Sequence, residues 1–137
     1  MAIIKVEGVT KIYKDLKALD NVSFEFEKGI LSFLGPSGCG KTTILRLIGG
    51  FHQPENGDIL FGGRRVTSKP PYERNIGMVF QNYALWPHMT IRDNVAYGLK
   101  IKKLAGQETS KRVAKVLDLV NLKGLEGRYP GQLSGGQ

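Results

Sequence analysis

Gly35-Pro36-Ser37-Gly38-Cys39-Gly40-Lys41-Thr42 is the stretch on which the reading of this chain turns. It has the form GxxxxGK[ST], the pattern of a loop that cradles phosphate groups. A phosphate chain needs many donors and little steric bulk. Glycines let successive backbone N–H groups turn inward, forming a nest that side chains would block. A helix that follows the loop points the positive end of its dipole at the same anion. Lys41 adds a point charge for the outer phosphates, and the Thr42 hydroxyl is a ligand for Mg²⁺. The candidate nucleotide-binding residues are therefore Gly35, Pro36, Ser37, Gly38, Cys39, Gly40, Lys41, Thr42 and Thr43. Cys39 enters as a small residue that fits the loop.

The motif carries weight only between a strand and a helix, and the flanking residues supply both. Ile30-Leu31-Ser32-Phe33-Leu34 is a short apolar run, as expected of a strand covered on both faces. From Lys41 to Ile48 the pattern is helical, with Ile44, Leu45, Leu47 and Ile48 on one broad apolar face and Gly49-Gly50 as the stop. Further out, residues 3–6 and 22–27 read as strands. The second alternates Val22, Phe24 and Phe26 with polar residues, so one face is buried and one wet. Residues 58–61 and 75–80 are also expected to be strands, the latter ending at Gln81. Beyond them the period changes. Residues 90–103 look helical, with Ile91, Val95 and Leu99 in register. Gly106 reads as a break, and Thr109 or a neighbour as the cap of a second helix with a stripe of Val113, Val116, Leu117 and Val120. The expected organisation is an α/β lobe over 1–86 and a helical segment over 87–137.

Composition narrows the function classes. The chain has 137 residues, 41% of them hydrophobic, and no run of 18 apolar residues that would span a membrane. No stretch of signal-peptide length stands at the N-terminus, which points to the cytoplasm. One cysteine rules out an internal disulfide framework and a cysteine-based zinc site. His52 and His88 are isolated and read as surface or packing residues. The net charge of +8 is scattered, apart from Lys100, Lys102, Lys103, Lys111, Arg112 and Lys115, which read as a solvated helix face rather than a nucleic-acid footprint.

Three further strings give the chain a family. Tyr13 in Val9-Thr10-Lys11-Ile12-Tyr13, Gln81 closing Gly77-Met78-Val79-Phe80-Gln81, and the terminal Leu133-Ser134-Gly135-Gly136-Gln137 occur in that order. With the phosphate loop, they resemble the ATP-binding subunit of ATP-binding cassette (ABC) transporters over the whole chain. The resemblance implies a P-loop NTPase core with an N-terminal antiparallel β subdomain and a helical subdomain. It implies ATP and Mg²⁺ as cofactors, Tyr13 as the ring that stacks on adenine, and Thr42 with Gln81 at the metal. Lys41 and Gln81 are the implied catalytic residues, Gln81 contacting Mg²⁺ or the attacking water. Taken alone, Tyr13 would read sooner as core material than as a stacking ring, and Gln81 as an ordinary surface residue. Ser134, Gly135, Gly136 and Gln137 are implied to cap the ATP of a second subunit, so that two ATPase subunits, identical or paired, close head to tail.

The segment Pro70 to His88 resembles importer ATPases for sugars, polyamines, iron, sulfate or oxyanions. There Tyr83, Leu85 and Trp86 are implied to receive a helix of the integral membrane permease subunits. They would also serve to pack the hinge between lobes. An extracytoplasmic solute-binding protein is an indirect partner, and the subunit is implied to lie on the inner face of the membrane. The family's apolar strand ending in Asp-Glu and its later histidine are not among these residues. Asp118 and Glu126 do not replace them, because neither follows an apolar strand. Residues 1–137 alone are thus expected to hydrolyse ATP negligibly and to expose apolar surface. Rival readings are an ABC ATPase of DNA repair or translation, and a nucleotide-binding fragment without hydrolysis.

Overall fold

The computed structural model describes residues 3–137. They fall into two compact units, divided between Met78 and Val79. The division comes earlier in the chain than the 86/87 boundary expected from composition.

The first unit is built on an antiparallel sheet. Strands β1 (Ile4–Tyr13) and β2 (Leu16–Phe26) form a long hairpin, followed by β3 (Asn56–Phe61) and the short β4 (Arg64–Arg65). The spatial order is β2-β1-β3-β4. Along β1 the pairing with β2 shifts between Val6 and Val9. Strict two-residue alternation would put Val6 and Gly8 on one face; the shift lets Val6 and Val9 both turn inward. Both are at most 1% exposed. Helix α1 (Lys41–Gly49) lays Ile44, Leu47 and Ile48 against Val6, Val9, Leu19, Ile59 and Val66 to close one core. Gly50 caps its C-terminus, as the double glycine anticipates. Leu45, expected on the apolar face, is 44% exposed, so the buried stripe of α1 is narrower than its apolar composition.

Two expected strands are not formed. Residues 30–34 and 75–80 are not assigned to any strand of the sheet. Their apolar composition signals burial, but a strand also needs a neighbour for its N–H and C=O groups. Ile30 and Leu34 are 94% and 91% exposed, and Val79 is 92% exposed. In the first of these segments Phe33 packs on the core, edge-on to Phe24 with ring centroids 5.5 Å apart.

The second unit is a helical hairpin. Helix α2 (Ile91–Ile101) starts at Thr90, whose hydroxyl accepts from the Asp93 N–H. Helix α3 (Gly106–Leu119) begins at the glycine expected to break it, and its N-cap is Ala105. Thr109 is not the cap; it is buried on the inner face with Val113 and Leu117, one i, i+4 row. Val116 and Val120, expected in the stripe, are 44% and 52% exposed. Ile91, Ala96, Val113 and Leu117 form the core, and Leu133 packs against it.

Candidate nucleotide-binding site

The loop of residues 35–40 turns tightly into α1. The Cys39 N–H reaches the Pro36 carbonyl at 3.4 Å, and the Ile44 N–H bonds the Gly40 carbonyl at 2.9 Å to open the helix. Gly40 is the N-cap, with φ 93°. A Cβ there would lie 2.7 Å from Leu19 Cδ2 and 2.8 Å from the Ala18 carbonyl, so conformation and space both demand glycine. Gly38, at φ 82°, has nothing within 4 Å of where a Cβ would sit. The loop is thus packed on the side of β2 and open at Gly38.

No side chain caps the start of α1, and its first turn carries no acid. The first N–H groups of a helix have no partner within it, and here the protein adds none from an N-cap side chain. Such an end attracts an anion. Lys41 Nζ donates to the Gly35 and Pro36 carbonyls at 2.7 and 2.6 Å and lies 3.4 Å from Cys39 Sγ. The ammonium is therefore folded back across the loop. Thr42 and Ser37 are exposed beside it, and Thr43 is half-buried. Thr42 brings a hard oxygen donor to a phosphate seat, which suits Mg²⁺, a cation that favours hydroxyl, phosphate and water oxygens. A cavity of about 360 Å³ borders the loop, with Leu19, Phe33, Leu34, Cys39, Lys41 and Ile44 in its wall.

Tyr13 ends β1 opposite Leu16. Leu16 is two residues from Ala18, about 7 Å along the strand, and the Ala18 carbonyl abuts Gly40. Tyr13 is half-exposed, with Lys11 Nζ 5.3 Å from its ring centroid and the His52 ring edge-on at 5.8 Å.

Sequence reasoning did not single out Arg74. It is 4% exposed. Its guanidinium donates to the carbonyls of Leu47, Ile48, Lys69 and Thr67 at 2.7–2.9 Å. A planar fork with five donors suits several carbonyls at once. A cation at the C-terminus of α1 also complements the helix dipole. Burial lowers its pKa from the ordinary arginine range. An arginine before a strand-like run carries no sequence signal for such a place.

The remaining site candidates belong to the second unit. Gln81 is exposed in a turn. Tyr83 and Ala84 both have positive φ, 61° and 50°, a backbone that non-glycine residues seldom adopt. Tyr83 and Leu85 are 64% and 47% exposed. Trp86 rests on Tyr97 with ring centroids 4.2 Å apart, and its backbone N–H donates to Asn94 Oδ1 at 2.9 Å. At the chain's end Gln137 Oε1 accepts from the Ser134 N–H at 3.0 Å and from its hydroxyl at 3.2 Å. This is half of an S-x-x-Q capping box, legible in the sequence. Ser134, Gly135 and Gly136 are exposed.

Comparison with known proteins agrees with these features. The ABC transporter family profile matches residues 19–137. The chain is 49% identical to the spermidine/putrescine import ATP-binding protein PotA of Oleidesulfovibrio alaskensis, over 98% of this chain and 36% of that protein. It is 50% identical to the sulfate/thiosulfate import ATP-binding protein CysA 1 of Agrobacterium fabrum, over 98% of this chain and 40% of that one. The chain thus spans well under half the length of these relatives. Among solved structures, the ATP-binding cassette MJ1267 of an ABC transporter superposes with a TM-score of 0.82 at 32% identity, covering 100% of this chain and 61% of that one. The dimeric cassette MJ0796, bound to ADP and Pi after hydrolysis, gives 0.80 at 32% identity, over 98% of this chain and 64% of that one. A complete phosphate loop at an uncapped helix start, an antiparallel sheet beside it and the matched profile together make this chain a member of the ABC transporter family, with the α/β fold of its ATPase cassettes.

Proposed function

We propose that this chain is the phosphate-binding part of a subunit that hydrolyses ATP to drive solute import. The observation that carries the reading is Lys41, whose ammonium lies 2.7 and 2.6 Å from the Gly35 and Pro36 carbonyls beneath an uncapped helix start. Anionic phosphate oxygens compete well for such a cation. The backbone N–H groups of residues 38–42 hold the β- and γ-phosphates, Lys41 neutralises charge that develops on them, and Tyr13 stacks on the base. Mg²⁺, when bound, would supply positive charge to offset the charge of the phosphate chain. Thr42 would hold it through its hydroxyl.

Ser134, Gly135, Gly136 and Gln137 complete the nucleotide site of a second ATPase subunit in a head-to-tail pair. Tyr83, Leu85 and Trp86 form the contact with a membrane permease, on the cytoplasmic face of the membrane. Two left-handed residues in succession turn the chain there, and Tyr83 and Leu85 stand exposed on it, as suits a docking element. The functional division proposed for the full-length protein remains an α/β lobe over 1–86 and a helical segment over 87–137. Relatives of nearly equal identity are named for a polyamine and for an oxyanion. The cassette is therefore shared machinery, and the solute is chosen by other subunits, an extracytoplasmic binding protein among them.

The test is titration calorimetry of the full-length protein with Mg²⁺ and ATP. Lys41→Met removes a charge-assisted contact of about 2 kcal/mol, roughly a thirtyfold loss of affinity. Equal affinity in the two proteins overturns the reading.

A further inference from the structure

The surroundings of Tyr13 form a built structure that a stacking role alone does not require. The Lys11 ammonium stands over the tyrosine ring, 5.3 Å from its centroid. It is held there by the Glu55 carboxylate at 2.7 Å and the Gln53 carbonyl at 2.8 Å, and its side chain is 13% exposed. Glu55 also accepts the N–H of Ile12, the residue before Tyr13, at 2.8 Å, and its own N–H donates to the Thr10 carbonyl at 2.9 Å. One acidic residue thus ties three successive positions of β1 to residues 53–55. The Lys11 contact and the Ile12 N–H keep its carboxyl below the ordinary glutamate range. His52 closes the arrangement. Its ring meets Tyr13 edge-on at 5.8 Å with an interplanar angle of 84°. Edge-to-face packing fixes the orientation of a ring more sharply than an apolar contact of equal area.

We infer that His52 and the Lys11–Glu55 pair are positioning residues: they lock the Tyr13 ring in the orientation that receives the nucleotide base. This rests on the reading of Tyr13 given above and extends it. Lys11 occupies one face of the ring, so the base takes the opposite face. A ring held in advance loses less freedom on binding, and that gain is confined to ligands that carry a base. The phosphates are held by other groups, those of the loop and Lys41, so a ligand made of phosphates alone is insensitive to the brace.

The experiment compares Mg²⁺-ATP with inorganic tripolyphosphate, both titrated into the full-length protein. His52→Ala weakens ATP about three- to tenfold, the scale of one aromatic pair, and leaves tripolyphosphate unchanged; His52→Phe restores ATP affinity. Glu55→Ala, which frees Lys11 and the Ile12 N–H, has the same selective effect. If Tyr13→Ala weakens ATP while His52→Ala and Glu55→Ala do not, the brace is refuted and the stacking role survives. If Tyr13→Ala leaves ATP unchanged, the stacking role fails and the brace with it. If either brace variant weakens both ligands equally, the residue supports the phosphate loop or the fold, and the proposal is again overturned.

Discussion

The Arg74 guanidinium donates to the Leu47 carbonyl at 2.7 Å, from a position 27 residues further along the chain. The same nitrogen reaches Ile48, and the other donors reach Lys69 and Thr67. A single buried side chain therefore closes the last turn of the helix whose first turn follows the glycine loop. Arg74→Ala removes the guanidinium from all four carbonyls and leaves Leu47 with only the Gly50 N–H at 3.1 Å. We expect a loss of about 3 kcal/mol, the scale for breaking a buried charged network. Arg74→Lys recovers only part of it, because an ammonium cannot span four acceptors as a planar fork does. Chemical denaturation of the three proteins measures the order wild type, lysine, alanine.

Gly40→Ala is the sharpest test of the loop. The residue must hold φ 93° while its new methyl group meets the Ala18 carbonyl and Leu19. The left-handed backbone alone costs about 1–2 kcal/mol, and the main-chain contact cannot be relieved by a rotamer change. Nucleotide affinity and thermal stability should fall together. Gly131→Ala, with open space where the methyl would sit, is the control and should change nucleotide affinity little.

Acid sensitivity is expected at the start of α2. The Asp93 carboxylate takes hydrogen bonds from Lys100 and the Thr90 hydroxyl, and these hold its pKa below the free value of 3.8. A depressed acid contributes stability that is complete above its unfolded pKa and is lost as pH falls through the folded one. Asp93→Asn should therefore be less stable than wild type at neutral pH, and the gap should close below about pH 4. Melting curves recorded across that range check the sign; a gap that widens in acid would reverse the assignment.

Trp86→Ala tests the docking turn. The indole lies on Tyr97 within its own unit, and neither residue is among those proposed to bind phosphate. ATP affinity should be unchanged while co-purification with the permease subunits drops. Undiminished co-purification counts against the contact.

Much of this was legible in the chain. The phosphate loop could be read because its chemistry is local: glycine geometry, one lysine and a helix start lie within ten residues or so. The same holds for Val22, Phe24 and Phe26, whose alternation survives as a half-buried face. What the sequence hid depends on distant partners. Residues 14–17 are polar enough to mask the hairpin that joins β1 to β2. The apolar runs at 30–34 and 75–80 announce burial but cannot name the strand that would pair with them. Gly106 reads as a breaker because isolated glycine disfavours helix, yet the first position of α3 has no intrahelical bond to lose. Arg74 looks like any surface cation, and only tertiary structure brings four carbonyls to it. His52 was passed over for the same reason: a lone histidine has no meaning until the ring beside it is known.

Lys41 sits at the positive end of its own helix, with no acid in the first turn to offset it. Such a start is electrostatically unfinished in the bare polypeptide, so folding of this lobe and capture of an anion belong to one equilibrium. A ligand at a hundred times its dissociation constant adds about 2.7 kcal/mol to stability by mass action. Simple oxyanions in a buffer share that chemistry in weaker form. The melting temperature of this lobe is consequently a property of the salt it is dissolved in as well as of its amino acids.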